Sequence, residues 1–308
     1  MEALLAALKA VAEPTRLRLI ALCARSDLTV SELTQILGQT QPRISRHLKL
    51  LADADVLIRY REGAWVFHRL TKTGPMSEFA NHLVGLLPED DEQLKRDLEH
   101  LNGVRKKRTK AAAEYFSKIA PQWDQVRSLH IEDSKVEEAL VGLLDDDVES
   151  LLDIGTGTGQ MLKLFGPLVT RAEGVDMSRE MLAVARVNLE QAGLKNCSVR
   201  ESDMYLLPYQ NNSFQVCVIH QVLHFSDDPG RAIAEVERVL KPGGSLLVCD
   251  FAPHDLQELR DEHAHRRLGF SDKEVSGWFT GVGLTCDEII HLPGDPVTVT
   301  IWHGRKPQ

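Results

Sequence analysis

The sequence has no uninterrupted run of 18 apolar residues, and its first residues lack the charged-then-apolar order of a signal peptide. We therefore expect a cytoplasmic protein without membrane spans. Paired cysteines are also missing, because the five cysteines are scattered and none belongs to a Cys-x-x-Cys motif. This spacing argues against a disulfide framework and a structural zinc site. Cys217 and Cys249 lie in apolar runs, so we expect them in the core.

Negative charge dominates the chain, but it is unevenly distributed. The 308 residues have a net charge of −9, and 43% of them are hydrophobic, which is typical of a soluble protein of about two domains. Residues 1–70 contain ten Lys or Arg and seven Asp or Glu, so they carry about +3 and leave about −12 for the rest. This asymmetry predicts a basic module, suited to nucleic acid, joined to an acidic one.

The most informative segment, residues 151–159, reads Leu-Leu-Asp-Ile-Gly-Thr-Gly-Thr-Gly. It is typical of a buried strand that enters a glycine loop, and the next residues favour a helix. The dinucleotide motif would need a third glycine at position 160, where Gln160 stands, which argues against a nicotinamide or flavin cofactor. A second short strand ends at Asp176, which can accept hydrogen bonds from ribose hydroxyls. Together the two signals predict a nucleoside-type cofactor.

The first 70 residues predict a winged helix-turn-helix. Thr15 is expected to cap a helix over 16–24, and Thr29 a helix over 30–37 that ends at Gly38. A further helix begins at Gln41, and two strands, 56–60 and 65–70, form the wing. The polar face of the last helix presents Arg43, Ser45, Arg46, His47 and Lys49. The alternative for residues 41–50 is an amphipathic helix with a solvated basic face.

Segments 12–19, 41–50 and 61–70 resemble the ArsR/SmtB family of bacterial repressors. The resemblance implies a homodimer on a pseudo-palindromic operator in double-stranded DNA. It directs Ser45, Arg46 and His47 toward bases, and Arg43, Lys49 and Arg61 of the wing toward phosphates. Metal-sensing members carry paired cysteines just before the helix-turn-helix, and residues 27–33 contain none. Glu78 and His82 stand one turn apart without a matching partner pair, so we expect no metal site.

Residues 73–111 predict a helical connector and dimerisation segment, with an apolar helix over 76–87 and a charged helix over 92–113. The basic run 105–108 is either a solvated helix face or a contact to the DNA backbone. Tyr115, Trp123 and Arg127 follow, and we expect them to pack at the entrance of the next domain or to cover a bound substrate.

Residues 112–308 alternate strands and helices, which predicts a doubly wound α/β sheet closed by two strands over 285–291 and 297–303. The expected fold is thus multidomain, with an N-terminal α+β winged helix-turn-helix (1–72), the connector (73–111) and a Rossmann-like α/β domain (112–308).

Five motifs of this domain resemble class I S-adenosylmethionine-dependent methyltransferases; they lie at 152–159, 174–178, 201–204, 215–220 and 238–244. The resemblance implies that the glycine loop underlies the methionine end of the cofactor, and that Asp176 binds the ribose. It also implies that Met177 packs on the adenine, that Asp203 accepts its amino group and that His220 lies near the sulfonium. The full cofactor set is Asp153, Gly155, Thr156, Gly157, Gly159, Asp176, Met177, Asp203, Met204 and His220.

Methyl transfer needs a base when the acceptor is protonated, and histidine titrates near neutral pH. The candidate bases are His220, His224, His263 and His265, although single histidines are often structural or surface groups. With His263 and His265, Arg266 and Arg267 would form one cationic surface, either solvated or suited to an anionic acceptor. Arsenic methylation would require several thiolates, which the strand cysteines do not supply.

Two functions remain open. In the first, the chain is a repressor whose C-terminal domain senses S-adenosylmethionine or S-adenosylhomocysteine, with possible turnover. In the second, it is an active small-molecule methyltransferase that regulates its own operon.

Overall fold

The computed structural model describes residues 1–62, 65–71, 75–119, 133–263 and 265–308. The chain divides into two compact units, Met1–Lys110 and Ala111–Gln308, and each has its own core of buried apolar side chains. Among the helices in these ranges, none combines the length and the apolar character that crossing a membrane requires.

The N-terminal unit combines helices with a small antiparallel sheet. Its strands, in the order β1-β3-β2, form the wing beside the helix-turn-helix. The elements are α1 (Glu2–Val11), α2 (Pro14–Cys23), β1 (Leu28–Thr29), α3 (Val30–Leu37), α4 (Gln41–Asp53), β2 (Leu57–Glu62), β3 (Trp65–Leu70), α5 (Ser77–Gly85) and α6 (Glu92–Ile119). The predicted winged helix-turn-helix is therefore confirmed.

Local capping signals fix the first helix of the helix-turn-helix. The Thr29 hydroxyl accepts a hydrogen bond from the Glu32 amide, and the Glu32 carboxylate accepts one from the Thr29 amide. Gly38 ends α3 in the left-handed region with φ of 64°, so both predicted ends are confirmed. The predicted Thr15 cap is wrong. Glu13 caps α2 instead, because Pro14 starts the helix one residue earlier and Thr15 is buried inside it.

The C-terminal unit is a doubly wound α/β domain. Its elements are α7 (Asp133–Gly142), β4 (Ser150–Ile154), α8 (Gln160–Phe165), β5 (Arg171–Asp176), α9 (Arg179–Gln191), β6 (Cys197–Glu201), β7 (Phe214–His220), α10 (Pro229–Val239), β8 (Leu240–Phe251), α11 (Gln257–His263), α12 (Asp272–Gly281), β9 (Thr285–Leu292) and β10 (Val299–Arg305).

The sheet has the order β6-β5-β4-β7-β8-β10-β9. Strands β4 to β8 are parallel, and β10 runs antiparallel between β8 and β9, so the two closing strands are confirmed. Cys217 and Cys249 are fully buried, as expected. Because β4, β5, β7 and β8 are parallel neighbours, the groups that follow them meet at one edge of the sheet, where ligands bind in open α/β folds.

Candidate cofactor site and DNA-binding surface

The glycine loop leaves β4 in a conformation that side chains rarely adopt. Gly155, Gly157 and Gly159 all have positive φ, of 73°, 53° and 86°. A Cβ atom at Gly155 would lie 2.3 Å from Cγ2 of Val222, which follows β7. The Gly155 and Thr156 amides donate to the Val175 carbonyl of β5 at 2.8 and 2.9 Å. The loop is therefore held against both neighbouring strands, and its backbone is open to close approach by a ligand.

Asp176, at the end of β5, contacts the glycine loop, which ends 17 residues before it in the sequence. Its Oδ2 accepts the Gly157 amide at 2.9 Å, and its Oδ1 accepts the Ser178 amide at 2.8 Å. Burial raises the pKa of Asp176, and these backbone hydrogen bonds act in the opposite direction. Each carboxylate oxygen keeps a further lone pair for a ligand hydroxyl. Met177 follows at 49% exposure, available to cover an adenine ring.

Asp153 is a buried carboxyl beneath the loop, only 1% exposed. Burial, with a smaller contribution from the charge of Asp176, raises the pKa of Asp153 to about 7. The nearby Thr156 hydroxyl opposes this rise, although neither it nor Oδ2 of Asp153 makes a hydrogen bond of ordinary geometry within the described part of the chain. Buried polar atoms without partners are rare in folded proteins. An ammonium group beside the glycine loop would satisfy this acceptor, so the site fits the amino-acid end of S-adenosylmethionine.

Asp203 and Met204 follow β6 at the same edge of the sheet. Asp203 is exposed, and its Oδ1 accepts the Tyr205 amide at 2.9 Å, which leaves its other oxygen for a ligand. Met204 is half-buried and packs against the core of the sheet. Asp203 thus has the exposure that a role in binding adenine requires, whereas Met204 also supports the strand ends.

Gln221, which directly follows β7, is a residue that the sequence did not reveal. His220 is buried as the last residue of the strand, and Gln221 follows with a positive φ of 53°. The Gln221 amide donates to the Cys249 carbonyl of β8 at 2.7 Å, which holds this strained backbone in place. The turn directs the chain toward Val222 and the glycine loop.

A second unpredicted residue, Asp250 of β8, pairs with His224. Nδ1 of His224 lies 2.7 Å from Oδ1 of Asp250, and the two side chains are 2% and 0% exposed. Nε2 of His224 is buried and makes no hydrogen bond within the described residues. The signal for Asp250 was available in the sequence, as a carboxylate that closes the apolar run Leu-Leu-Val-Cys.

The prediction that residues 263–267 form one cationic surface is wrong for the two arginines. Arg266 forms an ion pair with Asp227, and Arg267 forms one with Glu274 at 3.0 Å. His265 is buried, and its ring stacks on that of His224 with 4.0 Å between centroids. His263 is the last residue of α11. The segment folds inward because each arginine meets a carboxylate, so these charges are neutralised.

Three predicted substrate residues cannot be placed. The side chain of Tyr115, in α6, lies outside the described residues, as do Trp123 and Arg127.

Helix α4 separates a buried face from an exposed basic one. Ile44, Leu48 and Leu51 are buried. The predicted DNA-contacting residues Arg43, Ser45, Arg46 and Lys49 are exposed on the helix, and Arg61 is exposed on β2.

His47 differs from its predicted position on the base-reading surface of α4. Its side chain is only 13% exposed, and its Nδ1 lies 3.7 Å from Oε2 of Glu13, the cap of α2. Burial lowers the pKa of His47, while Glu13 partly opposes this effect. The side chain lies against Glu13 because position 47 is on the flank of α4 that faces the start of α2.

Comparison with known proteins gives two separate matches along the chain. A family model described as "Bacterial regulatory protein, arsR family" matches residues 13–58, and one described as "Methyltransferase domain" matches residues 152–248. Within the described residues, no group of three or more His, Cys, Asp or Glu side chains has a metal-binding arrangement.

Several curated proteins are similar to part of the chain. The uncharacterized methyltransferase YcgJ of Bacillus subtilis is 33% identical over 132 residues, which cover 40% of this chain and 52% of that protein. The demethylmenaquinone methyltransferase of Thermus thermophilus is 34% identical over 143 residues, 45% of this chain and 64% of that protein. The chain spans about half the length of the curated relatives it matches. For two further relatives, the matched region is 34% and 62% of their length.

Solved structures share the fold of the C-terminal unit. A putative methyltransferase from Bacillus halodurans has a TM-score of 0.51 at 18% identity, covering 57% of this chain and 100% of that one. A putative methyltransferase from Haloferax volcanii, solved with the activator Trm112, has a TM-score of 0.53 at 21% identity, covering 63% and 98%.

Proposed function

We propose that this chain, which joins a helix-turn-helix domain of the bacterial arsR family to a methyltransferase domain that binds S-adenosylmethionine or S-adenosylhomocysteine, is a transcriptional repressor controlled by that ligand. The proposal has three parts, which are a homodimer on double-stranded operator DNA, a cofactor bound at the glycine loop, and a change in operator affinity when the cofactor binds.

Helix α6 is the observation that supports regulation most strongly. It runs from Glu92 to Ile119, and the boundary between the two units, at Lys110 and Ala111, falls within it. Leu101 and Val104, in its first half, are buried in the core of the N-terminal unit. The boundary between the two units therefore falls inside a helix.

Two polar contacts fasten the first half of α6 to the helix-turn-helix. Arg18 of α2 donates two hydrogen bonds to Asp97, at 2.6 and 2.7 Å, and Asp97 is buried. His100 Nδ1 lies 2.9 Å from the Ile36 carbonyl, in the last turn of α3. Because Gly38 follows directly and leads to α4, a shift of α6 would act on the turn that orients the DNA-reading helix. This is the physical route that we infer between ligand and operator.

The exposed leucines of α1 support a homodimer. Leu4, Leu5 and Leu8 are 41%, 47% and 46% exposed, and they lie on one side of the helix, next to the buried Ala7 and Val11. An apolar patch of this kind is typical of a protein interface. A second copy is the proposed occupant, because a symmetric dimer would present two α4 helices to the two halves of an operator.

The test is a fluorescence-anisotropy titration of DNA from upstream of the gene with the full chain. It is performed without ligand and with saturating S-adenosylmethionine or S-adenosylhomocysteine. We expect one ligand to change the operator Kd by at least about fivefold. A ligand that binds the protein, as measured by calorimetry, and leaves the Kd unchanged contradicts the sensing role.

A second function, an active small-molecule methyltransferase that regulates its own operon, is favoured by one observation. His224 and Asp250 form a buried pair whose arrangement is suited to accepting a proton. Release of S-adenosylhomocysteine with a methyl acceptor would establish this activity, whereas a response of DNA binding without turnover would leave the sensor.

A further inference from the structure

We propose that His224 accepts the proton of a phenolic methyl acceptor and that Asp250 is the residue that positions it. This inference rests on the cofactor site of the proposed function and names the substrate class of that site.

Asp250 fixes both the orientation and the protonation of the His224 ring. Oδ1 of Asp250 lies 2.7 Å from Nδ1 of the ring and also accepts the Phe251 amide at 2.8 Å. Oδ2 accepts the backbone amide of His224 at 3.3 Å. An ionised carboxylate only accepts hydrogen bonds, so the ring proton belongs on Nδ1 and the lone pair on Nε2. Nε2 is buried and makes no hydrogen bond within the described chain.

The pair lies next to the proposed cofactor site. Asp250 is the last residue but one of β8, and His224 belongs to the short 3-10 helix Leu223–Phe225 that follows β7. Val222, two residues before His224, occupies the space that a Cβ atom at Gly155 would need. The segment that carries the imidazole therefore packs directly against the glycine loop, at the sheet edge where ligands bind.

The surroundings of His224 favour a neutral aromatic acceptor over an anionic one. The ring centroids of His265, Phe225 and Phe251 lie 4.0, 4.1 and 5.3 Å from that of His224. Rings attract other rings and exclude water.

The neighbouring cations are already neutralised. The backbone amides of Arg266 and Arg267 both donate to the His224 carbonyl, but their guanidinium groups pair with Asp227 and Glu274. An anionic acceptor would thus be desolvated without a compensating charge, which is unfavourable. A phenol satisfies both conditions, because it is aromatic and neutral.

The step balances without a further reagent. The phenol oxygen forms a bond to the methyl carbon as the carbon–sulfur bond breaks, and the electron pair of that bond stays on sulfur. The phenol proton moves to Nε2, and the carboxylate of Asp250 stabilises the resulting imidazolium. The imidazolium then returns the proton to solvent, which leaves a neutral methyl ether and the neutral thioether S-adenosylhomocysteine.

The first test needs no turnover. Nitrogen-15 NMR of histidine side chains, on the full chain saturated with S-adenosylhomocysteine, reports which ring nitrogen carries the proton, and His224→Gln assigns the signal. We expect the Nδ1–H form in the wild type and a shift toward Nε2–H in Asp250→Asn. A wild-type His224 protonated at Nε2 at neutral pH would overturn the proposal. If His224→Gln does not fold, Asp250→Asn alone assigns the signal.

The second test measures release of S-adenosylhomocysteine from S-adenosylmethionine with panels of phenols, benzoates and amines. We expect turnover with phenols, and a loss in kcat of about 10²- to 10⁴-fold for His224→Gln. Asp250→Asn should lower kcat at least tenfold and move the rising limb of the pH–rate profile to lower pH, because the imidazolium loses its counter-charge. A purely structural role would lower thermal stability without moving this limb.

The matched control is His291→Gln. His291, on the outer strand β9, also pairs with an aspartate, Asp272 of α12, at 3.2 Å, but both side chains are about half exposed. We expect wild-type turnover for this variant. Calorimetry of S-adenosylhomocysteine binding separates the two proposals. Absence of binding contradicts the proposed function itself, whereas binding without turnover of any phenol overturns only the role of His224.

Discussion

At the scale of single residues, a comparison of Gly155 and Gly193 distinguishes the effect of a steric collision from the effect of backbone strain. Both have positive φ, of 73° and 70°, but a Cβ atom would collide with Val222 only at Gly155. Gly155→Ala and Gly193→Ala should therefore share the cost of a left-handed alanine, about 1 kcal/mol. Only Gly155→Ala should displace the loop and weaken S-adenosylhomocysteine binding by at least tenfold in calorimetry. Equal losses of affinity would show that strain, and not the packing of the loop, is responsible.

Because the pKa of Asp153 is raised, we expect the free energy of unfolding to depend on pH. Its folded pKa of about 7 lies above the ordinary value of 3.8, so between these values the folded state binds more protons than the unfolded state. The free energy of unfolding of the wild type therefore falls as pH rises from about 4 to about 7 and is constant above that range.

The variant Asp153→Asn lacks this titration while it keeps the shape of the side chain. Relative to the wild type, it should gain roughly 3 kcal/mol of stability between pH 5 and pH 8. For a unit of this size, the Tm of the variant minus the Tm of the wild type should therefore increase by about 5–10 °C between the two pH values. Thermal unfolding at both pH values, without ligand, measures it. A Tm difference that does not depend on pH contradicts a raised pKa at this position.

At the scale of elements, α6 should depend on its buried ion pair. Asp97 is 2% exposed and binds Arg18 through two hydrogen bonds, so Asp97→Asn leaves a poorly compensated guanidinium and should cost about 3 kcal/mol. Hydrogen exchange over residues 92–107 should accelerate. The control is Glu92→Gln, which breaks the exposed pair with Lys95 in the same helix and should cost under about 0.5 kcal/mol. Unchanged exchange in Asp97→Asn would remove α6 as the link between the units.

We expect the exposed residues of helix α4 to contribute to operator binding. Arg46→Ala and Lys49→Ala should each weaken operator binding, and Lys49→Ala should also lower the slope of log K against log salt by about 1 if it contacts a phosphate. His47→Asn should reduce thermal stability more than salt dependence, since that side chain lies against Glu13. Anisotropy titrations at several salt concentrations distinguish these outcomes. A His47→Asn variant with normal stability and a lost base preference would restore His47 to the reading surface.

Elements with strong local signals could be predicted from the sequence, and long-range contacts could not. The bounds of α3 follow from a capping box and a glycine, and β7 coincides with an apolar run, all within a few residues. The position of Asp176 beside the glycine loop follows from the parallel pairing of β4 and β5. The pairing of His224 with Asp250 joins residues 26 apart on two elements, so only the folded sheet brings it to light. For the same reason, the sequence did not reveal that Asp227 neutralises Arg266.

At the scale of the whole molecule, the charge asymmetry and the exposed leucines of α1 suit one assembly. The basic unit carries the DNA-reading helix, and a symmetric dimer would double its contacts with phosphates. Each half of an operator then contributes to the same binding event, so affinity depends on the dimer much more steeply than on a single contact.

The double variant Leu5→Glu/Leu8→Glu tests this assembly. Both side chains are nearly half exposed, so the change should leave the fold intact, yet it would place charge in the proposed interface. We expect a monomer in analytical ultracentrifugation and an operator Kd weakened by about 100-fold or more. The control Leu168→Glu/Val187→Glu changes two equally exposed apolar residues of the C-terminal unit and should keep both properties. A dimer that persists in Leu5→Glu/Leu8→Glu would place the interface elsewhere. A wild-type monomer that still binds the full operator tightly would contradict dimeric recognition altogether, because one α4 helix cannot read two half-sites.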